Sequence, residues 1–239
     1  MDFQLGSEMR YGLIIPSSNT TMEAEFWRMA SGWATVHTAR MRLEKITADE
    51  LEEMEVQMLE AAIRLADAEV NVIGYGCTSG SLLKGKDHGR EIEKRITEKT
   101  GIPAVATAKA VIEALGELRI KKLCVATPYV GEISELEKSF LEQNGIDVLN
   151  IKGLSIEQNR EVGSKDPSVA YELAEAVYVP EAQGIFISCT NLRSIEVIDR
   201  LEKELHVPVV SSNTATLWAI MKKAGTKRKL RGYGKLLLQ

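Results

Sequence analysis

A strand-to-turn pattern that occurs twice, with a cysteine each time, most constrains the fold of this chain. The first copy is Val72-Ile73-Gly74-Tyr75-Gly76-Cys77-Thr78, and the second is Gly184-Ile185-Phe186-Ile187-Ser188-Cys189-Thr190. Short apolar runs bounded by small and polar residues are typical of buried strands. We therefore expect Cys77 and Cys189 each to follow the C-terminal end of a strand, where the chain turns into the next element.

Other segments of the two halves correspond in the same order. Pro16-Ser17-Ser18-Asn19 corresponds to Thr127-Pro128-Tyr129, and residues 101–105 correspond to residues 206–210. Apolar strand patterns alternate with helical patterns throughout, which indicates parallel sheets. The prediction is an α/β fold with two similar lobes, each a flavodoxin-like parallel-sheet unit, related by pseudo-two-fold symmetry. Lobe 1 is assigned residues 1–105 plus 211–239, and lobe 2 residues 106–210.

The repeat predicts where a ligand would bind. Ligands of parallel sheets bind beyond the carboxyl ends of the strands, so two similar lobes would place Cys77 and Cys189 on facing sides of one cleft. A thiol at the start of a helix also feels unpaired backbone N–H groups, which favour the thiolate. Elsewhere, residues 47–65 show helical apolar spacing behind Thr47, and we predict one amphipathic helix capped by Thr47.

Composition and charge exclude several classes of function. The chain has 239 residues, a net charge of −4 and three cysteines, so neither a nucleic-acid partner nor a disulfide framework is indicated. No apolar run approaches the roughly 20 residues of a membrane span, and the N-terminus lacks a secretory pattern. We expect no membrane association and a reducing, cytoplasmic location. The basic residues 222–229 are interpreted as a solvated helix end.

The residue types around the two cysteines point to acid–base or nucleophilic chemistry at carbon. The cysteines have no third ligand cluster nearby in sequence, so no metal site is predicted. None of the three histidines lies on a strand-end loop of the repeat, which gives a Ser-His-Asp triad little support. A thiolate can attack or take a proton while an opposing thiol returns one. Neighbouring donors suit carboxylate oxygens without a metal or organic cofactor: Ser17, Ser18, Asn19, Thr78, Ser79, Thr190 and Asn191.

These motifs resemble a known family. The layout of one cysteine per lobe is similar to the aspartate/glutamate racemase superfamily, and residues 16–23, Pro-Ser-Ser-Asn-Thr-Thr-Met-Glu, resemble the opening of maleate cis–trans isomerases. The resemblance implies a cofactor-independent isomerase that acts on a small carboxylate or dicarboxylate and forms a homodimer. Arylmalonate decarboxylases share this fold but lack the first-lobe cysteine, so Cys77 argues against decarboxylation.

The resemblance also implies residue roles. Cys77 matches the nucleophile that adds to an alkene carbon of maleate and gives a succinyl-cysteine adduct, and Cys189 matches the thiol that supplies and recovers a proton. Rotation about the resulting single bond and loss of Cys77 would release fumarate. The two substrate carboxylates would be held by Asn19, Tyr129 and Asn159, with Thr78, Ser79, Thr190 and Asn191 lining the site.

Several alternatives stay open at this point. Residues 78–81 are more polar than expected after the first cysteine of a maleate isomerase and resemble relatives associated with ectoine breakdown. The same thiol pair would serve a two-base racemase of an amino acid or related carboxylate, and two lobes could also close on a dicarboxylate without catalysis. Asn19 could cap a helix, Tyr129 could pack at a turn, and Arg193 could bind a carboxylate or face solvent. Cys124, inside an apolar run, is interpreted as a core residue.

Overall fold

The computed structural model describes residues 9–239, and its backbone forms two parallel four-stranded sheets. The first sheet has the order β2-β1-β3-β4 and the second the order β6-β5-β7-β8, so the second half repeats the first. The predicted α/β fold with two similar lobes is confirmed; residues 1–8 of the predicted first lobe lie outside the described residues. The strands are β1 Met9–Pro16, β2 Ala34–Met41, β3 Val72–Tyr75, β4 Ala104–Ala106, β5 Lys122–Thr127, β6 Asp147–Gly153, β7 Gly184–Ile187 and β8 Val209–Ser211.

Helices connect successive strands in both halves, as a right-handed parallel crossover requires. A single 3-10 turn, Leu236–Leu238, ends the chain. The helices are α1 Met22–Ala30, α2 Ala48–Val56, α3 Met58–Ala66, α4 Thr78–Leu82, α5 His88–Thr100, α6 Thr107–Glu117, α7 Gly131–Gln143, α8 Asn159–Gly163, α9 Pro167–Val177, α10 Ile198–Leu205 and α11 Ser212–Lys223.

The strand order fixes where a ligand site forms. In the first sheet the chain goes from β1 outward to β2 and returns to β3 on the other side of β1, and β5, β6 and β7 repeat this path. The crevice at such a switch point, beyond the carboxyl ends of the strands, is the usual ligand site of open parallel sheets. The loops after β1 and β3 carry Asn19 and Cys77, and those after β5 and β7 carry Tyr129 and Cys189.

Apolar side chains hold the two lobes together. Along β7, Ile185 and Ile187 belong to one buried cluster and Phe186 to a second, as the two-residue period of a strand buried on both faces requires. Each cluster contains residues of both sheets, for example Ile73 with Ile185 in the first and Leu13 with Phe186 in the second. Helices α6 and α11 also pack against each other. The two strand-end crevices are therefore held in a fixed relation.

The helix predicted for residues 47–65 is wrong in one respect. The segment forms two helices, α2 and α3, that are separated at Gln57. The side-chain oxygen of Gln57 accepts a hydrogen bond of 2.9 Å from the backbone N–H of Arg42, an interaction with a separate segment that sequence periodicity does not reveal. The predicted cap is confirmed, because the Thr47 hydroxyl accepts a 3.4 Å hydrogen bond from the Glu50 N–H.

The basic segment at the chain end is bound locally. The Lys222 ammonium lies 4.6 Å from the centroid of the Trp218 ring and 3.4 Å from a carboxylate oxygen of Glu117. Arg228 lies over Trp33, 5.7 Å from the ring centroid. These cation–π and ion-pair contacts hold two of the basic residues of the segment against the protein. Among residues 9–239, no helix combines the length and the apolar composition that crossing a bilayer requires.

Candidate active site

Cys77 lies where β3 turns into the short helix α4, as the sequence predicts. Its backbone is extended and it occupies the N-cap position, with Sγ accepting a 3.4 Å hydrogen bond from the Gly80 N–H. The Ser79 hydroxyl lies 3.8 Å from the same sulfur. Gly76 permits this turn because a Cβ there would collide with the sulfur of Met22. The first thiol is thus presented with two donors on one side.

The donors at this position favour the Cys77 thiolate, as expected, but burial outweighs them. Burial raises the pKa of the Cys77 thiol above its ordinary value, while the Gly80 N–H and the Ser79 hydroxyl only oppose that rise. The side chain is 4% exposed, and removing an anion from water costs more than two weak donors to sulfur return. The donors of α4 therefore reduce the cost of forming the thiolate without making it the resting form.

Cys189 follows β7 with an unusual backbone. Its φ is +85°, in the left-handed region that non-glycine residues rarely adopt. Strain of this kind costs roughly 1–3 kcal/mol and is concentrated at functional sites. The Asn191 N–H donates to Sγ at 3.4 Å. Burial raises the pKa of the Cys189 thiol to about 12, and the charge of Cys77 adds to this rise while a hydrogen bond from Tyr129 opposes it.

The two thiols belong to one site. Each cysteine ends the equivalent strand of its own sheet, and the charge of Cys77 acts on both Cys189 and Tyr129. The residues next to the two cysteines meet across the lobe boundary, because the Thr190 hydroxyl donates to the Gly76 carbonyl at 3.1 Å. A thiol whose pKa is about 12 holds its proton at neutral pH and can act as a general acid.

Asn19 joins the two lobes beside the cysteines. Its Oδ1 accepts hydrogen bonds from the N–H groups of Thr21 at 3.0 Å and Met22 at 2.9 Å, so it does cap the start of α1. Its Nδ2 donates to the Thr190 hydroxyl at 3.0 Å, and that hydroxyl donates to the Gly76 carbonyl at 3.1 Å. One side chain thereby fixes the helix and positions the residues next to both cysteines.

Asn191 and Asn159 continue this network. The Thr20 N–H donates to Asn191 Oδ1 at 2.8 Å, and Asn191 Nδ2 donates to the Asn159 carbonyl at 2.6 Å. Asn159 Nδ2 donates to the Ser18 hydroxyl at 2.8 Å. Both asparagines are buried. The structure therefore brings amides from both lobes together, where they can donate to a carboxylate that replaces one of these internal acceptors.

The remaining predicted residues divide into two groups. Tyr129 is 1% exposed and its hydroxyl is within hydrogen-bonding reach of Cys189 and Ser188, which is more than packing at a turn. Thr78, although next to Cys77, donates to the Ser212 hydroxyl at 2.8 Å and so anchors α4 to α11. Arg193 is partly exposed and pairs with Glu196 at 3.2 Å. The solvent-facing alternative for Arg193 fits this contact.

Two buried carboxyl groups near the site were missed by the sequence analysis. Glu25 accepts from the Ser194 N–H at 2.9 Å and from Asn213 Nδ2 at 2.6 Å, and Glu137 accepts from the Ser188 hydroxyl at 2.5 Å. Burial raises the pKa of each carboxyl to about 7. Helical spacing in the sequence could have identified both glutamates, because each falls on the apolar face of its helix. Glu137, for example, follows the buried Ile133 by four residues.

These features agree with comparisons to known proteins. The arylmalonate decarboxylase family matches residues 11–237. The chain belongs to this family. Within it, a maleate isomerase of Geobacillus stearothermophilus is 30% identical over 247 residues, which cover 98% of each chain.

Solved structures of family members have the same fold. A cysteine-to-alanine variant of the maleate isomerase from Pseudomonas putida S16, solved with maleate, gives a TM-score of 0.92 at 28% identity and covers 96% of this chain and 97% of that one. A cysteine-to-serine mutant of the Nocardia farcinica maleate cis–trans isomerase carries a covalently bound succinylcysteine intermediate. It gives a TM-score of 0.93 at 25% identity and covers 97% and 98% of the two chains. Because these relatives are isomerases, the chain is assigned as an isomerase.

Close packing beside Asn191 leads to a stability prediction. A Cβ on Gly163 would collide with the Thr20 hydroxyl and would lie 2.8 Å from Asn191 Oδ1. Overpacking of this kind costs about 1–3 kcal/mol, so we expect Gly163→Ala to lower the free energy of unfolding by that amount in urea denaturation. Gly116→Ala, in α6 with open space around it, is the control and should stabilise by about 0.4–1 kcal/mol. Equal midpoints for both variants would contradict the packing argument.

Proposed function

We propose that this chain isomerises maleate to fumarate by covalent catalysis, with Cys77 as the nucleophile and Cys189 as the proton donor and acceptor. The observation that carries the proposal is the placement of two buried thiols at equivalent strand ends of the two lobes, where the neighbours Thr190 and Gly76 are joined by a 3.1 Å hydrogen bond. Relatives with this fold include a maleate isomerase solved with maleate and another with a succinylcysteine intermediate.

The reaction follows from the different surroundings of the two thiols. As the Cys77 thiolate forms a sulfur–carbon bond, the π bond of maleate breaks, and the proton of Cys189 goes to the other alkene carbon. The remaining carbon–carbon single bond rotates. The Cys189 thiolate then takes a proton back from that carbon, the double bond reforms and Cys77 leaves as a thiolate. Atoms and charges balance without a cofactor once the Cys77 thiol, which is neutral at rest, has given its proton to water. Cys189 then ends the cycle as a thiol, and Cys77 ends it as the thiolate that began it.

Neutral donors are proposed to hold the two carboxylates. Asn19 of lobe 1 and Asn159 and Asn191 of lobe 2 supply amide N–H groups, and Tyr129 and Thr190 of lobe 2 supply hydroxyls. In a buried site such fixed donors stabilise negative charge as it moves onto the carboxylate next to the reacting carbon. Ser79, beside the Cys77 sulfur, completes the proposed lining, while Thr78 contributes by anchoring α4 to Ser212.

Incubation with maleate tests the proposal directly. Loss of maleate and appearance of fumarate, followed by proton NMR, should require only the purified protein and a thiol reductant. A racemase of an amino acid or related carboxylate would instead exchange the α-proton of its substrate with solvent deuterium and leave maleate unchanged. Tight maleate binding with no conversion would favour a non-catalytic binding protein and would overturn the isomerase proposal.

Three further expectations from the sequence are retained as proposals. The lobe boundaries, residues 1–105 plus 211–239 and 106–210, are supported by the position of α11, which packs on β3 and β4 of the first sheet. A homodimer is implied by the family resemblance and is testable by light scattering. A cytoplasmic location suits two free thiols that must remain reduced.

A further inference from the structure

Glu137 contacts the residue that precedes Cys189, and it takes no part in the proposed chemistry. It projects from α7 and is 1% exposed, and its Oε1 accepts a 2.5 Å hydrogen bond from the hydroxyl of Ser188, the residue before Cys189. The Thr127 hydroxyl also faces the carboxyl, but no donor among residues 9–239 reaches Oε2 within hydrogen-bond distance. A buried carboxyl with one free oxygen is costly and calls for an explanation.

The carboxyl also lacks a cation. None of the ion pairs formed by residues 9–239 includes Glu137. The side chains that α4 and α6 present to it are uncharged, as are those around it on its own helix: Thr78, Leu82, Ala108, Val111, Phe140 and Leu141. The titratable groups that face it are Tyr129 and Cys189, with Cys77 beyond Tyr129. Its charge therefore acts mainly on the proposed active site.

A chain of hydrogen-bonding groups connects Glu137 to the thiol. The Ser188 hydroxyl contacts Glu137 and is also within reach of the Tyr129 hydroxyl, which in turn is within reach of the Cys189 sulfur. Each hydroxyl has one proton to donate, and an ionised Glu137 takes that of Ser188. A protonated Glu137 would instead donate to Ser188 and turn the Ser188 proton toward Tyr129.

We propose that Glu137 is a positioning residue that sets the protonation state of Cys189 through Ser188 and Tyr129. As a carboxylate it holds the Ser188 proton, which leaves the Tyr129 proton for a substrate carboxylate, and its negative charge keeps the Cys189 thiol protonated. As a neutral acid it donates to Ser188, so that Tyr129 can donate to the sulfur and stabilise the thiolate. The inference rests on the proposed function only in taking Cys189 as the proton donor.

Glu137→Gln tests this link, with Glu202→Gln as the matched control. Glu202 is also buried, and burial raises the pKa of its carboxyl as well, but it contacts Val209 and Lys235 rather than the site. The readout is the pH dependence of Cys189 alkylation by iodoacetamide, followed by peptide mass spectrometry in the absence of substrate. Loss of the anion should lower the pKa of Cys189 and raise its alkylation rate at pH 8 by up to about tenfold in Glu137→Gln alone.

Turnover gives the second readout. Burial raises the pKa of Glu137 to about 7, so kcat should rise with pH through that value in the wild type. Glu137→Gln should lack this acidic limb, and its basic limb should move to lower pH. Ser188→Ala removes the hydroxyl that links Glu137 to the site but keeps the carboxyl, and it should lower kcat at constant KM. This variant provides the test if Glu137→Gln does not fold.

The outcomes are distinguishable. Alkylation and pH profiles of Glu137→Gln that match those of Glu202→Gln and the wild type would overturn the inference. A shifted alkylation profile in a protein that never converts maleate would leave the link between Glu137 and Cys189 standing and reject the proposed isomerisation instead.

Discussion

Cys77→Ala should abolish conversion of maleate, with a loss of kcat on the order of 10⁴-fold or more, because no other group near the substrate can form the carbon–sulfur bond. The neighbouring Ser79 hydroxyl lies 3.8 Å from the sulfur, but among residues 9–239 no hydrogen bond joins it to a histidine or carboxylate that could activate it. The measurement is the initial rate of fumarate formation by proton NMR at saturating maleate.

Cys124→Ala is the matched control for this experiment. Cys124 is fully buried within β5 and has no role in the proposed chemistry. Its replacement should cost little more than about 1 kcal/mol of stability for the lost sulfur contacts and leave kcat unchanged. Near-normal turnover by Cys77→Ala, or an equal loss in Cys124→Ala, would contradict the assignment of Cys77.

The fold was predictable because the sequence repeat that indicates it extends over both halves of the chain. Two halves with the same succession of strand ends, one ending at Cys77 and the other at Cys189, leave few arrangements besides two similar parallel sheets. The observed strand orders, β2-β1-β3-β4 and β6-β5-β7-β8, agree with that prediction. The sequence-based prediction failed where a single tertiary contact accompanies a change in local structure. The side chain of Gln57 accepts a hydrogen bond from the Arg42 N–H, and the helix is interrupted there between α2 and α3.

The sequence predicted which residues lie at the candidate site, but it did not predict the protonation state of the two thiols. Strand-end positions pointed to Asn19, Cys77, Tyr129 and Cys189, and all four lie at the two switch points. The state of the thiols was not predictable, because the same turn that offers N–H donors to Cys77 also buries it, and only the coordinates show that burial dominates. Glu137 was overlooked for a similar reason, since its helix looks like a solvated one until its buried face is known.

Cys189→Ser should separate the two halves of the reaction and leave the substrate attached to Cys77. Serine keeps the size of the side chain, but its hydroxyl holds its proton far more strongly than a thiol does. Addition of Cys77 can still be completed by a proton from solvent, whereas removing a proton from the resulting saturated carbon requires a base that serine does not supply. The succinyl adduct should therefore accumulate while kcat falls by about 10²–10⁴-fold.

Intact-mass spectrometry after incubation with maleate measures this directly, as a gain equal to one maleic acid, and peptide mapping locates it. The double variant Cys77→Ala/Cys189→Ser is the control and should gain no mass. An adduct on Cys124, or none on Cys77 with turnover intact, would contradict the division of roles. Each sulfur accepts one backbone N–H at 3.4 Å, from Gly80 for Cys77 and from Asn191 for Cys189. Cys77 has the Ser79 hydroxyl beside it as well, whereas Cys189, with a pKa raised to about 12, is the better holder of the proton.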